Sequence, residues 1–140
     1  MTIENDPIVR QYVRLIHGQG DYCDFGCSKN DVEAMIARAK ELFPRKPYCV
    51  ASGWTWADIE IDPRQADEVA QAGVHPAFIY ADNILSDEAD RWAQGSCVRT
   101  TLLVAFHENC IFSTRNTSYI LVGSGTRLKV APAVYNGIYF

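Results

Sequence analysis

No run of apolar residues in this 140-residue chain approaches the roughly 20 that a membrane-spanning helix needs, so no transmembrane helix is expected. The opening stretch, MTIENDPIVRQ, is polar and acidic where a secretory leader would be basic and then apolar, which points to a cytoplasmic protein. Regular cysteine spacing is also missing. The five cysteines (Cys23, Cys27, Cys49, Cys97, Cys110) are odd in number and unevenly placed, which fits free thiols in a reducing compartment better than a disulfide framework. Internal repeats, low-complexity tracts and linkers are absent as well, and the length suits one domain spanning residues 1–140.

A concentrated basic face is lacking too. The net charge of −4 is unevenly spread: residues 54–96 carry nine acids against only Arg64 and Arg91. The bases after residue 96 are four, Arg99, Arg115, Arg127 and Lys129, opposed by Glu108. Phosphate binding needs more base in one place, so nucleic acid ranks last among possible partners. The acidic middle invites a partner with a basic surface.

What is present is a readable pattern of elements. Asp6-Pro7 has helix-start chemistry, Ile8, Tyr12, Leu15 and Ile16 share a face, and Gly18 and Gly20 end the run. Ser28 and Asp31 have capping-box spacing before Val32, Met35, Ile36, Ala39 and Leu42, which repeat helically until Pro44. Tyr48–Ser52 reads as a strand, broken by Gly53, with a second strand over 54–61. Asp62-Pro63 starts a short helix whose Ala66, Val69, Ala70 and Ala72 are expected to be buried, and a strand over 77–81 leads to an acidic helical turn from Ser86 to near Gly95. From Cys97 on, alternation predicts an antiparallel meander, with turns at 107–109, 115–116 and 123–125. The expected class is α+β: two N-terminal helices packed on a C-terminal curved antiparallel β-meander, a small partial barrel.

Chemistry-bearing residues are few. His17, Cys23 and Cys27, with Cys49 as a distant fourth, are permitted zinc ligands, but their spacing is not that of a knuckle. Cys23 and Cys27 have three residues between them where a redox pair has two. His107 and Cys110 flank a hairpin loop without a third group to orient the imidazole. His75, before Pro76, reads as a loop residue. Gly123-Ser124-Gly125 lacks the following helix that a phosphate cradle needs. No cofactor is implied.

The alternation places Trp54, Trp56, Asp58 and Glu60 on one strand face. Two indoles beside two carboxylates suit either an exposed protein-binding patch or a partly buried strand whose acids lie beyond the sheet edge. Asp87 and Glu88, with the surrounding acids, read either as a solvated helix start or as part of an acidic docking face.

Residues 80–127 carry Ala81-Asp82-Asn83, Gly95, Val98-Arg99-Thr100, Thr114-Arg115-Asn116-Thr117, Tyr119 and Gly123-Ser-Gly125. This pattern resembles a family of small uncharacterised bacterial and prophage proteins classed only as a domain of unknown function, and it covers about a third of the chain. The resemblance implies a setting, a bacterial accessory protein of phage or mobile-element type, and no activity.

The leading expectation is a non-enzymatic protein that binds and blocks another protein, as a host-defence inhibitor or an immunity-type protein does. The protein-binding residues expected are Trp54, Trp56, Asp58, Glu60, Asp87 and Glu88. The alternatives are a metal-binding or thiol-dependent sensor or enzyme using His17, Cys23 and Cys27, and a nucleic-acid-binding accessory protein. The C-terminal Tyr135, Tyr139 and Phe140 are left as core or interface.

Overall fold

The structure is a computed structural model that describes residues 6–137. Its first helix, α1 (Pro7–Ile16), starts where the Asp6 carboxylate accepts from the Ile8 N–H at 2.8 Å. α2 (Val32–Leu42) follows a single 3-10 turn, in which the Ser28 hydroxyl donates to the Asp31 carboxylate rather than capping the backbone. α3 (Pro63–Gln71) has the complete capping box: Asp62 accepts from the Gln65 N–H, and the Gln65 side chain accepts from the Asp62 N–H. α4 (Pro132–Asn136) is one turn against α1.

The centre of the sheet is β2 (Tyr48–Ile59), a strand that Gly53 interrupts less than its sequence suggests. Gly53 sits at φ +62°, and β2 continues past it, paired antiparallel with β3 (Ala77–Asp87) from Cys49 to Asp58. On its other side β2 runs parallel first to β7 (Ser118–Leu121) and then to β8 (Gly125–Val130). Gly123-Ser124-Gly125 is therefore not a reversal. Register moves from Ala51 opposite Leu121 to Thr55 opposite Thr126, so the β7–β8 path holds one extra residue, a bulge in a strand that keeps its direction.

The kink divides the sheet. β6 (Ile111–Ser113) and β5 (Ala105–His107) extend it beyond β7, whereas β1 (Asp21–Cys23) extends it beyond β8. The two-residue β4 (Val98–Arg99) pairs with β3. The result is α+β, a curled mixed sheet forming a half-barrel with strands dominating the C-terminal part. The mixture arises because β2, which lies early in the sequence, inserts between β3 and the β7–β8 path.

Two local expectations change. The acidic segment from Ser86 does not turn into a helix: β3 continues through Asp87, opposite Cys49, and tight turns follow. Ala66, Ala70 and Ala72 are exposed and Val69 is half-buried, because α3 spans the connection between β2 and β3 with no layer above it.

Side chains leaving the sheet form two apolar layers. On one face Trp54, Trp56, Ile79, Phe112, Tyr119 and Leu121 pack together, with Phe25, Trp92 and Phe106 against them. The other face is covered by helices: Leu15 of α1 and Val134 of α4 meet Ala57, Phe78, Leu128 and Val130, and Ala39 of α2 meets Val50, Ile111 and Ile120. Tyr135 is half-buried and packs against the core, its ring 4.9 Å from that of Phe78; Tyr139 and Phe140 lie outside the described residues.

Candidate functional site

Trp54 and Trp56 are both inside, at 1% and 5% exposure. The expectation of an exposed indole pair is thus corrected: alternation does put them on one face, but the half-barrel fills that face. The Trp54 indole N–H donates to the Gly123 carbonyl at 2.8 Å. A Cβ on Gly125 would stand 2.4 Å from the Trp54 carbonyl oxygen and 2.5 Å from its indole, so the glycine there serves close approach, not anion binding.

The carboxylate beside Trp56 also has a reason. Asp58 accepts the Trp56 indole N–H at 3.1 Å and is clasped by Arg127, Nε to Oδ2 at 2.7 Å and Nη2 to Oδ1 at 3.0 Å. The same guanidinium lies 5.0 Å from the Trp56 ring centre and 6.0 Å from that of Phe25. Its hydrogen bonds to Asp58 push Arg127 still further above its usual value, so it is a fixed cation.

Asp87 and Glu88 do not join this group. Asp58 pairs with Ala77 and Cys49 with Asp87, so the two acidic sites are nine residues apart along β2, roughly 30 Å of strand path. The Asp87 side chain is fully buried and held by Arg91 through Nε, Nη2 and the backbone N–H. Glu88 is paired with Lys40 of α2. Neither acid is free, and one joint acidic face made with Asp58 and Glu60 is not what the fold provides.

Other candidates also fall apart in space. Among the described residues no three His, Cys, Asp or Glu side chains are grouped so as to hold a metal ion, and His17 is exposed at the end of α1 while Cys23 is buried in β1. His107 packs its ring against Phe43 at 5.7 Å, whereas Cys110 is buried in the apolar layer that also takes in Cys27. They form no dyad. Arg99 stacks on Tyr135, Arg115 donates to the Ala72 carbonyl and Arg127 holds Asp58, so the bases expected to meet nucleic acid are spent on the fold in three cases of four.

A cleft of about 730 Å³ lies where α1, β1 and the C-terminal ends of β2 and β8 meet. Asp21, Asp24, Asp58 and Glu60 line it against Arg14, Arg127 and Lys129. With Arg127 committed to Asp58, the acids Asp21, Asp24 and Glu60 have no ion-pair partner among the described residues. Tyr22 stands at its rim, 76% exposed. Val13, 41% exposed, neighbours the same Arg14 from the other side, and these two are the exposed large hydrophobic side chains among the described residues. The fold explains Tyr22: β1 is the outermost strand, paired only with β8, so alternation that buries Cys23 turns Tyr22 outward.

A match to a domain of unknown function (DUF6957) covers residues 24–136. The chain belongs to that family. No curated protein and no solved structure matches it. The DUF6957 match contains residues 80–127, and several residues of that stretch have structural roles. Asn83 donates to the Ser52 hydroxyl, Asp82 fills the space over Gly53, Thr117 accepts from Arg91, and Gly123 accepts from Trp54. Most of the cleft also lies within the DUF6957 span, but Gln11, Arg14, Asp21, Tyr22 and Cys23 precede it.

Sequence reasoning missed Tyr22 and the unpaired Asp21 and Asp24. The signal was the string DYCD itself, an aromatic between acids with strand alternation, overlooked because its cysteine suggested metal or redox chemistry.

Proposed function

We propose that this protein is a non-enzymatic binding module whose recognition surface is the cleft beside Tyr22, with Asp21, Asp24 and Glu60 meeting a basic partner. The observation that carries the proposal is Tyr22, an aromatic 76% exposed on an edge strand at the rim of the 730 Å³ cleft. Exposed tyrosines at the centre of a contact commonly dominate its energetics, and unpaired acids around them steer a basic partner and set its register. In this reading Asp58 and Glu60, which line the cleft, belong to the surface, the buried Trp54 and Trp56 support it from within, and Asp87 and Glu88 lie outside it. A phage or mobile-element protein that blocks a host-defence complex, or an immunity-type protein, suits such a surface, because nucleases and nucleic-acid-binding proteins present basic faces.

The test is affinity capture from the native host with wild-type bait and two altered baits, Tyr22→Ala and Asp24→Lys/Glu60→Lys. A basic protein retained in near-stoichiometric amount by the wild type and lost by both altered baits is the expected result. Equal retention by all three baits contradicts the assignment of the surface.

A further inference from the structure

We propose that Cys27 and Cys110 are a dithiol that peroxide oxidises to a disulfide, a modification site whose closure quickens as pH rises. The geometry comes from the strand that both thiols border. In β7, the Leu121 N–H donates to the Cys110 carbonyl and the Leu121 carbonyl accepts from the Cys27 N–H, both at 2.9 Å. Past Cys110 the chain turns away through Glu108 and Asn109, both at positive φ, and Cys27 takes over beside β7, bridged to Val122. Gly26 seals the junction by donating to the Asn109 carbonyl at 2.8 Å. The two cysteines thus meet end to end along one edge of β7, although 83 positions separate them in sequence. Both side chains belong to the apolar layer under α2, where each thiol is near enough to bear on the other's titration. All five cysteines are free in this structure.

The step balances with hydrogen peroxide as oxidant. The Cys27 sulfur, the half-buried and hence reachable member, attacks one peroxide oxygen; the O–O bond breaks, Cys27 becomes a sulfenic acid and water leaves. The Cys110 sulfur then displaces the sulfenic hydroxyl, forming the S–S bond and releasing a second water. Two thiols lose two protons and two electrons, which reduce the peroxide. Burial pushes the Cys27 thiol up and the Cys110 thiol up to about 12, so both are protonated at neutral pH. The reaction is therefore slow at pH 7, and its rate follows the thiolate fraction, rising up to about tenfold per pH unit.

The product ties the segment carrying Asp24 and Phe25 to the β5–β6 hairpin, which gives oxidation a route to the cleft; that consequence alone rests on the proposed binding surface. The disulfide itself is tested without any partner. Reduced full-length protein is treated with hydrogen peroxide at pH 7 and pH 9, blocked with N-ethylmaleimide, and digested with trypsin plus an Asp-specific protease. That digestion separates Cys23 from Cys27 and Cys97 from Cys110. The expected result is loss of two of the five thiols, one linked pair of peptides holding Cys27 and Cys110, and faster linkage at pH 9. In Cys110→Ser the link disappears and Cys27 accumulates as sulfenic and sulfinic acid. Oxidation of Cys27 without linkage in the wild type, or a link between any other pair, overturns the proposal.

Discussion

Arg127 reaches across from β8 to β2 and grips Asp58 with two parallel hydrogen bonds, 2.7 and 3.0 Å long, while its guanidinium lies over the buried Trp56 ring. One side chain thus joins two parallel strands, neutralises a carboxylate that also binds the indole N–H, and forms the floor of the cleft. With both partners partly exposed, the pair's charge is worth little; its fork geometry and stacking supply the rest. Arg127→Lys retains the charge and loses the fork, so a loss of about 1 kcal/mol in urea unfolding is expected, nearly as large as for Arg127→Ala. A Lys variant as stable as the wild type contradicts the fork.

Asp87 makes stability sensitive to acid. Desolvation raises its carboxyl, but the hydrogen bonds and charge of Arg91 outweigh that and hold it below the ordinary carboxylate range. A carboxyl with a depressed folded value contributes stability above its unfolded value, near pH 4, and loses it as pH falls through the folded value. Asp87→Asn leaves Arg91 without its counter-charge, and a cost of about 3 kcal/mol at pH 7 is expected. Between pH 5 and pH 3 the variant's unfolding midpoint should fall less steeply than the wild type's. Parallel curves exclude this role for Asp87.

Gly125→Ala tests the kink that separates β7 from β8. The added methyl meets the Trp54 carbonyl oxygen and indole at contact distances that no relaxed Cβ adopts, so about 3 kcal/mol of destabilisation is expected from overpacking. Gly73→Ala is the control for a positive-φ glycine with open space around it, where backbone strain alone acts. Calorimetric midpoints for the two variants should separate clearly, with Gly125→Ala the lower.

Tyr22→Ala separates binding from folding. An exposed side chain on an edge strand contributes little to stability, so a change within about 0.5 kcal/mol is expected. Affinity for the captured partner should fall at least tenfold, about 1.4 kcal/mol. A variant that folds and binds as the wild type does removes Tyr22 from the surface.

The helices and most strands were legible because each carries a local signal: Asp6-Pro7 and Asp62-Pro63 mark helix starts, and alternation marks the strand face holding Trp54 and Trp56. What local pattern does not encode is which strands become neighbours. Gly123-Ser124-Gly125 looks like a hairpin turn because glycines usually make one, yet the parallel pairing of β2 with both β7 and β8 makes the chain run on in one direction there. The same limit applies to function. Trp54 and Trp56 were conspicuous by residue type and proved internal, while Tyr22 became visible only once β1 was known to be the sheet edge. The contact of Cys27 with Cys110 depends on where the chain crosses β7, and neither spacing nor composition records that.

Amide hydrogen exchange of the protein with and without its captured partner tests the recognition surface most directly. Slowed exchange is expected in residues 20–25 and 58–61, around Tyr22 and the acids of the cleft, with residues 86–91 around Asp87 and Glu88 unchanged. Protection confined to residues 86–91, or to the exposed face of α3, contradicts the cleft as the binding site.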